Sequence, residues 1–333
     1  MPISLLIDIF HGIHLSGLTE TTKLSFSSYN SSFTECVRRY SLTLALHANA
    51  DLIYKNCINN NGTISFCEDI QMQAGQQKPT QSATFIGCTF RIMIGSGING
   101  GAIYFADKSN GILTITQCLF DHCEVSVSKG DGTGGGGIYA KSVSNVDISD
   151  SSFIHCMCNT TNNSDGGAIE LNIITIQPKI SECTFIFCHA DDDGGAVSIR
   201  SSNAANPIVC NDCRYTHCSV SHIMNLGPGG GGMILWENNN FMRCTNILFS
   251  DNEGTYGGAY ANNKITQSPN CLLSFCFFNK NTGTYGNDLY FPSLPSQCPC
   301  MHCLSTSDSY RVSYQSSSSY LFSFHLILHS LIV

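Results

Sequence analysis

The chain has 333 residues, a charged fraction of only 12%, and 24 acidic against 16 basic residues for a net charge of −8. No cluster of Lys or Arg tracks a phosphate backbone, which argues against nucleic acid as a partner. A low charged fraction beside abundant Ser, Asn, Gly and Thr fits stacked polar strands and turns better than amphipathic helices.

From the N-terminus, residues 1–20 carry an apolar stretch with no basic start, and Asp8 interrupts it, so the segment reads as a leader or a degenerate first strand. Residues 21–291 read as one repeat domain in which two short words alternate. The first is Gly-Gly-small-aliphatic: Gly100-Gly101-Ala102-Ile103, Gly135-Gly136-Gly137-Ile138, Gly166-Gly167-Ala168-Ile169, Gly194-Gly195-Ala196-Val197, Gly230-Gly231-Gly232-Met233, Gly257-Gly258-Ala259-Tyr260 and a degenerate Gly286-Asn287-Asp288-Leu289. The second is an aromatic anchor followed three residues later by Cys or Asn: Phe120/Cys123, Phe153/Cys156, Phe185/Cys188, Tyr215/Cys218, Phe249/Asn252 and Phe278/Asn281. Phe90 joins the series without the Cys, and Phe33 with Cys36 reads as an earlier anchor.

The spacing carries more than the words. From each Gly-Gly to the next anchor the chain runs 18–21 residues, whereas from anchor to the next Gly-Gly it runs 8–15. One arm of the repeat is held to a structural length while the other accepts insertions, as in a stacked coil whose strands stay in register and whose outward turn lengthens freely. Within the constant arm, Ile169 and Leu171 flank Glu170, and Val197 and Ile199 alternate with Ser198 and Arg200. Val146 and Ile148, like Leu113 and Ile115, alternate with polar residues in a second strand. The anchor supplies a third. No helical period occurs across residues 83–291, so the expected fold is all-β, a right-handed parallel β-helix solenoid of about seven to nine coils with three short strands per coil. The glycines are assigned to sharp, closely stacked turns rather than to a nucleotide loop, because no helix follows them. Pro292, Pro295 and Pro299 remove ladder donors and are expected to end the stack. Residues 292–333 form a Cys/Ser-rich tail whose last fourteen residues, 320–333, are mostly apolar. That run is shorter than the ~20 residues of a spanning helix, so membrane association is expected only through this tail as a loose lipid-anchor signal.

The two words, alternating at this period over residues 84–291, resemble the polymorphic outer membrane protein repeats of bacterial surface autotransporters and protist surface proteins. The resemblance implies a right-handed β-helix associated with adhesion at the cell surface. Two departures stand beside it: Cys replaces Asn in most of the second words, and no C-terminal β-barrel follows.

Cys210, Cys244 and Cys271 fall in an apolar column and read as small hydrophobes. Cys123, Cys156, Cys188 and Cys218 take the place of Asn252 and Asn281 and read as an inward thiol ladder, with disulfides between pairs such as Cys118 and Cys123 as the alternative. His122, His155 and His217 read as an outward column, and Cys298, Cys300, His302 and Cys303 as a cluster too tightly spaced for a zinc knuckle. Neither is assigned a metal, and no cofactor is expected. Asp191, Asp192 and Asp193 form the one dense acidic run and, with Arg200 nearby, suit Ca²⁺ or a sugar, although acids in a turn commonly just solvate it. Tyr104 and Tyr139 are expected as outward aromatic platforms for sugar rings or protein side chains. Asn30, Asn61, Asn159 and Asn162 head glycosylation sequons. The functional expectation is a non-enzymatic, extracellular or cell-surface scaffold of adhesin type that binds glycans or surface proteins. The alternative is a polysaccharide lyase or hydrolase on the same fold.

Overall fold

The computed structural model describes strand backbone between residues 4 and 313 and side chains for most of residues 82–306. Outside the described residues lie chiefly 7–21, 69–80, 96–99, 107–110, 127–132, 160–163, 201–207, 222–228, 237–241, 263–270, 291–299 and 314–333. The architecture is a parallel β-solenoid. Its three long sheets hold twelve, fifteen and ten strands, every pair parallel, and each strand bonds to its counterparts in the coils before and after. The described residues contain no helix.

Each face follows from the repeat words. On the glycine face, Ile103, Ile138, Ile169, Val197, Met233, Tyr260 and Leu289 stand in one register file, all fully buried. The middle face supplies a second file through Phe85, Ile115, Ile148, Ile180, Cys210, Cys244 and Leu273, so Cys210 and Cys244 do replace isoleucine. On the anchor face the rings of Phe90, Phe120, Phe153, Phe185, Tyr215, Phe249 and Phe278 lie face to face, 4.6–5.4 Å between centroids. Each is fully buried, and a ring so placed contributes about 2–3 kcal/mol, which is why the anchor varies so little along the chain. The three files meet in one core.

The glycines act as their spacing implies. Gly166 has φ of +63°, and a Cβ on Gly167 would sit 2.1 Å from the carbonyl oxygen of Gly195 in the next coil. In five of the six words the first glycine is required by conformation, and the second by space.

The other corners use single non-glycine residues in the left-handed region. Gln117, Asp150, Glu182, Asp212, Asn246, Phe275 and His302 form one such column, and Ile92, His122, His155, Phe187, His217, Asp251 and Lys280 another, with φ between 50° and 57°. Asp, Asn and His tolerate that region best among residues with a side chain, which accounts for much of both columns. The second corner also breaks the anchor face. Leu119–Val125 is continuous and pairs with both Ser152–Ile154 and Met157–Cys158, after which every coil carries two short strands there. Three sheets are observed, but the later coils have four strands, because a left-handed residue interrupts the ladder in mid-face.

Three further details depart from expectation. About five turns lie between residues 103 and 256, and coils with a strand on all three faces continue on both sides, through Ile64–Glu68, Gln81–Ile86 and Thr89–Gly95 before them and Tyr260–Asn262, Cys271–Ser274 and Phe277–Asn279 after. Pairing reaches Ser4–Leu6 and Val312–Ser313, so the sheets exceed seven to nine strands. Phe33 is not an anchor: it registers with Tyr54, and Tyr54 with Phe85, on the middle face. The prolines at 292, 295 and 299 do not end the pairing, since Cys300–Met301 and Leu304–Ser305 continue two of the sheets. Pro292, Pro295 and Pro299 themselves lie outside the described residues.

Candidate functional site

Tyr104 and Tyr139 do stack on successive coils, 5.6 Å apart and nearly parallel. Tyr139, however, is only 3% exposed, and its column continues through Glu170, Ser198 and Ile234, all buried. The reason is that the variable arm folds back over the outer surface of the glycine face. Thr133–Gly134 pairs with Ser164–Asp165, and Asp165 bridges to Asp193, which makes a short fourth ladder above that sheet. Tyr139 therefore belongs to an inner layer beneath the arms, whereas Tyr104 is half-buried.

Between the arms and the glycine-face sheet lies a cluster of acids. Asp165 and Asp193 are 2% and 1% exposed, and Asp192 is half-buried beside them. Ligand oxygens of the three all lie within 4.8 Å of one another. The main chain holds the two arms together: Asp192 N and Asp193 N donate to Ser164 O, and Gly166 N donates to Asp193 O. Arg200, on the strand after Gly194, pairs with Asp165 Oδ2. Glu170 reaches in from the strand after Gly166 and is 3% exposed. Burial raises the Asp165 carboxyl to about 6 against the opposing pull of Arg200. It also lifts Glu170 and Asp193 well above the ordinary carboxylate range, with Asp165 adding to both. Such an arrangement has two chemical uses: to share protons among carboxylates, or to hold a hard cation.

Of the expected acidic run, Asp192 and Asp193 belong to this cluster, whereas Asp191 turns away and lies 3.4 Å from His189 Nε2. Asp193 is not a solvated turn residue, because the neighbouring arms cover it. Asp165 and Glu170 escaped the sequence reading. A signal was present: Asp165 precedes Gly166 as Asp193 precedes Gly194 one repeat later, and Glu170 breaks an otherwise apolar strand start.

The histidine column forms an exposed corner in which His122, His155, Phe187 and His217 stack at 4.6–5.1 Å. Asp121, His122 and His155 bring ligand atoms within 4.8 Å, but Asp121 is already engaged by Arg91 at 3.0 Å and by His122 Nδ1 at 2.6 Å. Of the tail cluster, Cys303 bonds inward to Leu273 O and His302 is exposed and stacks on Phe275, while the Cys300 side chain lies outside the described residues. Cys298 lies outside the described residues.

The thiol ladder has a definite geometry. Cys123, Cys156, Cys188 and Cys218 direct Sγ to the anchor carbonyl of the preceding coil at 3.5–3.7 Å. Asn252 and Asn281 direct Nδ2 to the equivalent carbonyls at 3.1 and 3.2 Å. Cys and Asn are thus interchangeable donors at one corner. None of the cysteines with described side chains forms a disulfide. Parallel in-register stacking spaces side chains by about 4.8 Å, more than the ~3.8 Å between Cβ atoms that a disulfide prefers. Burial pushes the Cys156, Cys188 and Cys218 thiols up, which keeps them protonated.

Among the sequons, Asn159 is half-buried with Nδ2 3.4 Å from Glu124 Oε1. Asn30, Asn61 and Asn162 lie outside the described residues. No helix of the described residues is long and apolar enough to cross a membrane. No protein-family model, curated protein or solved structure matches the chain.

Proposed function

We propose that the protein is a non-catalytic scaffold of adhesin type, extracellular or at a cell surface, that presents the arms between anchor and Gly-Gly to glycans or surface proteins. The observation that carries this reading is the contrast between the two halves of the coil. The constant arm builds an unbroken buried core, while the variable arms differ in length from coil to coil, and their described ends, Ser164–Asp165 and Asp193, pair outside the glycine sheet. Variation placed on a rigid support is the usual arrangement of a recognition surface. The likeness to polymorphic outer membrane protein repeats points the same way. The exposed His122–His155–Phe187–His217 corner adds an aromatic ridge beside those arms.

The enzyme alternative draws on the acid cluster. Its most perturbed carboxyls, on Asp165, Glu170 and Asp193, are covered by main chain, and a polysaccharide cannot bring a scissile bond to groups 1–3% exposed. The two readings separate on a panel of immobilised and soluble glycans together with cell-surface protein extracts. Saturable binding that is lost when residues 159–163 are exchanged for Gly-Ser, with an unchanged far-UV spectrum, supports the scaffold. Release of sugar products that Asp191→Ala or Asp193→Ala abolishes overturns it.

A further inference from the structure

The acid cluster is unbalanced in a way that the fold alone does not resolve. Asp165 Oδ1 and Asp193 Oδ1 are both buried without a hydrogen-bond partner, although Asp165 keeps Arg200 on its other oxygen. Glu170 gives a separate indication from a different strand. Its Oε2 is also buried and unpartnered, and it occupies the place where any side chain on Gly134 would go: a Cβ there would fall 1.6 Å from Oε2 and 2.3 Å from Asp165 O. The absence of a side chain at Gly134 thus lets a carboxylate point in under the arms. Ser198, in register with Glu170 on the next coil, has a buried Oγ that likewise lacks a partner. Against four acids, the positive charges acting on the cluster are Arg200 and, on Glu170, Lys141.

Leaving several buried carboxylate oxygens without donors is costly unless something positive meets them. Every available side-chain donor atom here is oxygen, with no imidazole or thiolate in the trio, which selects hard cations over zinc or copper. A flexible set of carboxylates drawn from two adjacent coils fits the irregular coordination of Ca²⁺ better than the strict octahedron of Mg²⁺.

We propose that Asp165, Asp192 and Asp193, with Glu170 beside them, form a Ca²⁺ site that fastens the variable arms of two successive coils onto the outer surface of the glycine face. The cation would act as a clasp: Asp165 is anchored in one arm and Asp192 and Asp193 in the next, so one ion ties both to each other and, through Glu170, to the sheet below. This role is independent of what the arms recognise.

The test uses the full chain, stripped with EDTA and then titrated with CaCl₂. Thermal unfolding of the wild type is expected to rise by several degrees at millimolar Ca²⁺. Tb³⁺ is expected to luminesce on tyrosine excitation, since Tyr139 stands in register beside Glu170. Asp193→Asn, and Glu170→Gln as a second variant should the first not fold, are expected to lose both responses. In EDTA each should melt at or above the wild type, because a buried carboxyl that needs a proton or a cation to be neutral has been replaced by a neutral amide. Equal melting of the wild type with and without Ca²⁺, or Tb³⁺ luminescence unchanged in both variants, would overturn the site and leave the carboxyls neutralised by protons alone.

Discussion

At the scale of single residues, the repeat is governed by what each position lets its neighbour above and below do. Gly167 and Gly137 look alike in the sequence but are held by different constraints. A Cβ on Gly167 would meet Gly195 O at 2.1 Å and His189 O at 2.4 Å, whereas on Gly137 the nearest atom, Ala168 O, is 3.0 Å away. Other coils place Ala at the Gly137 position. Gly167→Ala is therefore expected to cost more than about 3 kcal/mol or to prevent folding, while Gly137→Ala stays within about 1 kcal/mol of neutral, as read from denaturant unfolding. The donor ladder offers a second contrast. Asn252 gives Nδ2 to Tyr215 O and takes Cys218 N on Oδ1 at 2.9 Å, two ordinary hydrogen bonds, where the Cys188 thiol makes only weak ones, to Phe153 O at 3.5 Å and Ile186 O at 3.7 Å. Asn252→Ala should cost about 3 kcal/mol, roughly twice Cys188→Ala. Equal losses would mean that the ladder stabilises by volume rather than by hydrogen bonding.

At the scale of the element, a coil is a closed circuit in which only one segment is free to change length. Ser164–Asp165 is already committed to the fourth ladder, so the tolerant stretch ends before Ser164. Four residues inserted between Thr161 and Asn162 are expected to shift the melting temperature by no more than a few degrees. The same insert between Ile180 and Ser181 would displace Ile180 from its file with Ile148 and Cys210 and abolish cooperative melting in circular dichroism. This asymmetry was readable in the word spacing. What the spacing did not carry was the destination of the variable arm, because its fold over Tyr139 and Glu170 comes from pairing between arms of successive coils and not from any motif within one arm.

For the whole molecule, stability is close to a sum of coils and the interfaces between neighbours. Removing one complete repeat should therefore shorten the solenoid without unfolding it. Deletion of residues 230–256 joins Gly229 to Gly257 and leaves each file continuous across the cut, with Val197 meeting Tyr260. The deleted chain is expected to keep its β-sheet spectrum and a single unfolding transition at a modestly lower temperature. Deletion of half that stretch, residues 230–242, should yield an insoluble or molten product, since it puts an anchor strand against a glycine strand. Identical behaviour of both deletions would show that the coils are not equivalent units.

The amino-acid sequence by itself determined the parallel solenoid, its interior files, the purpose of both glycines and the inward thiols, because all of these repeat at fixed intervals and a periodic fold writes its contacts into its period. It misplaced Phe33 and the stack's end, where the words are degenerate. The acid cluster and the burial of Tyr139 were decided only by tertiary structure. Asp165 and Glu170 come from one coil and Asp193 from the next, in two layers, and their proximity depends on arms closing over a face, of which the chain carries only a faint mark, the Asp before Gly166 and before Gly194.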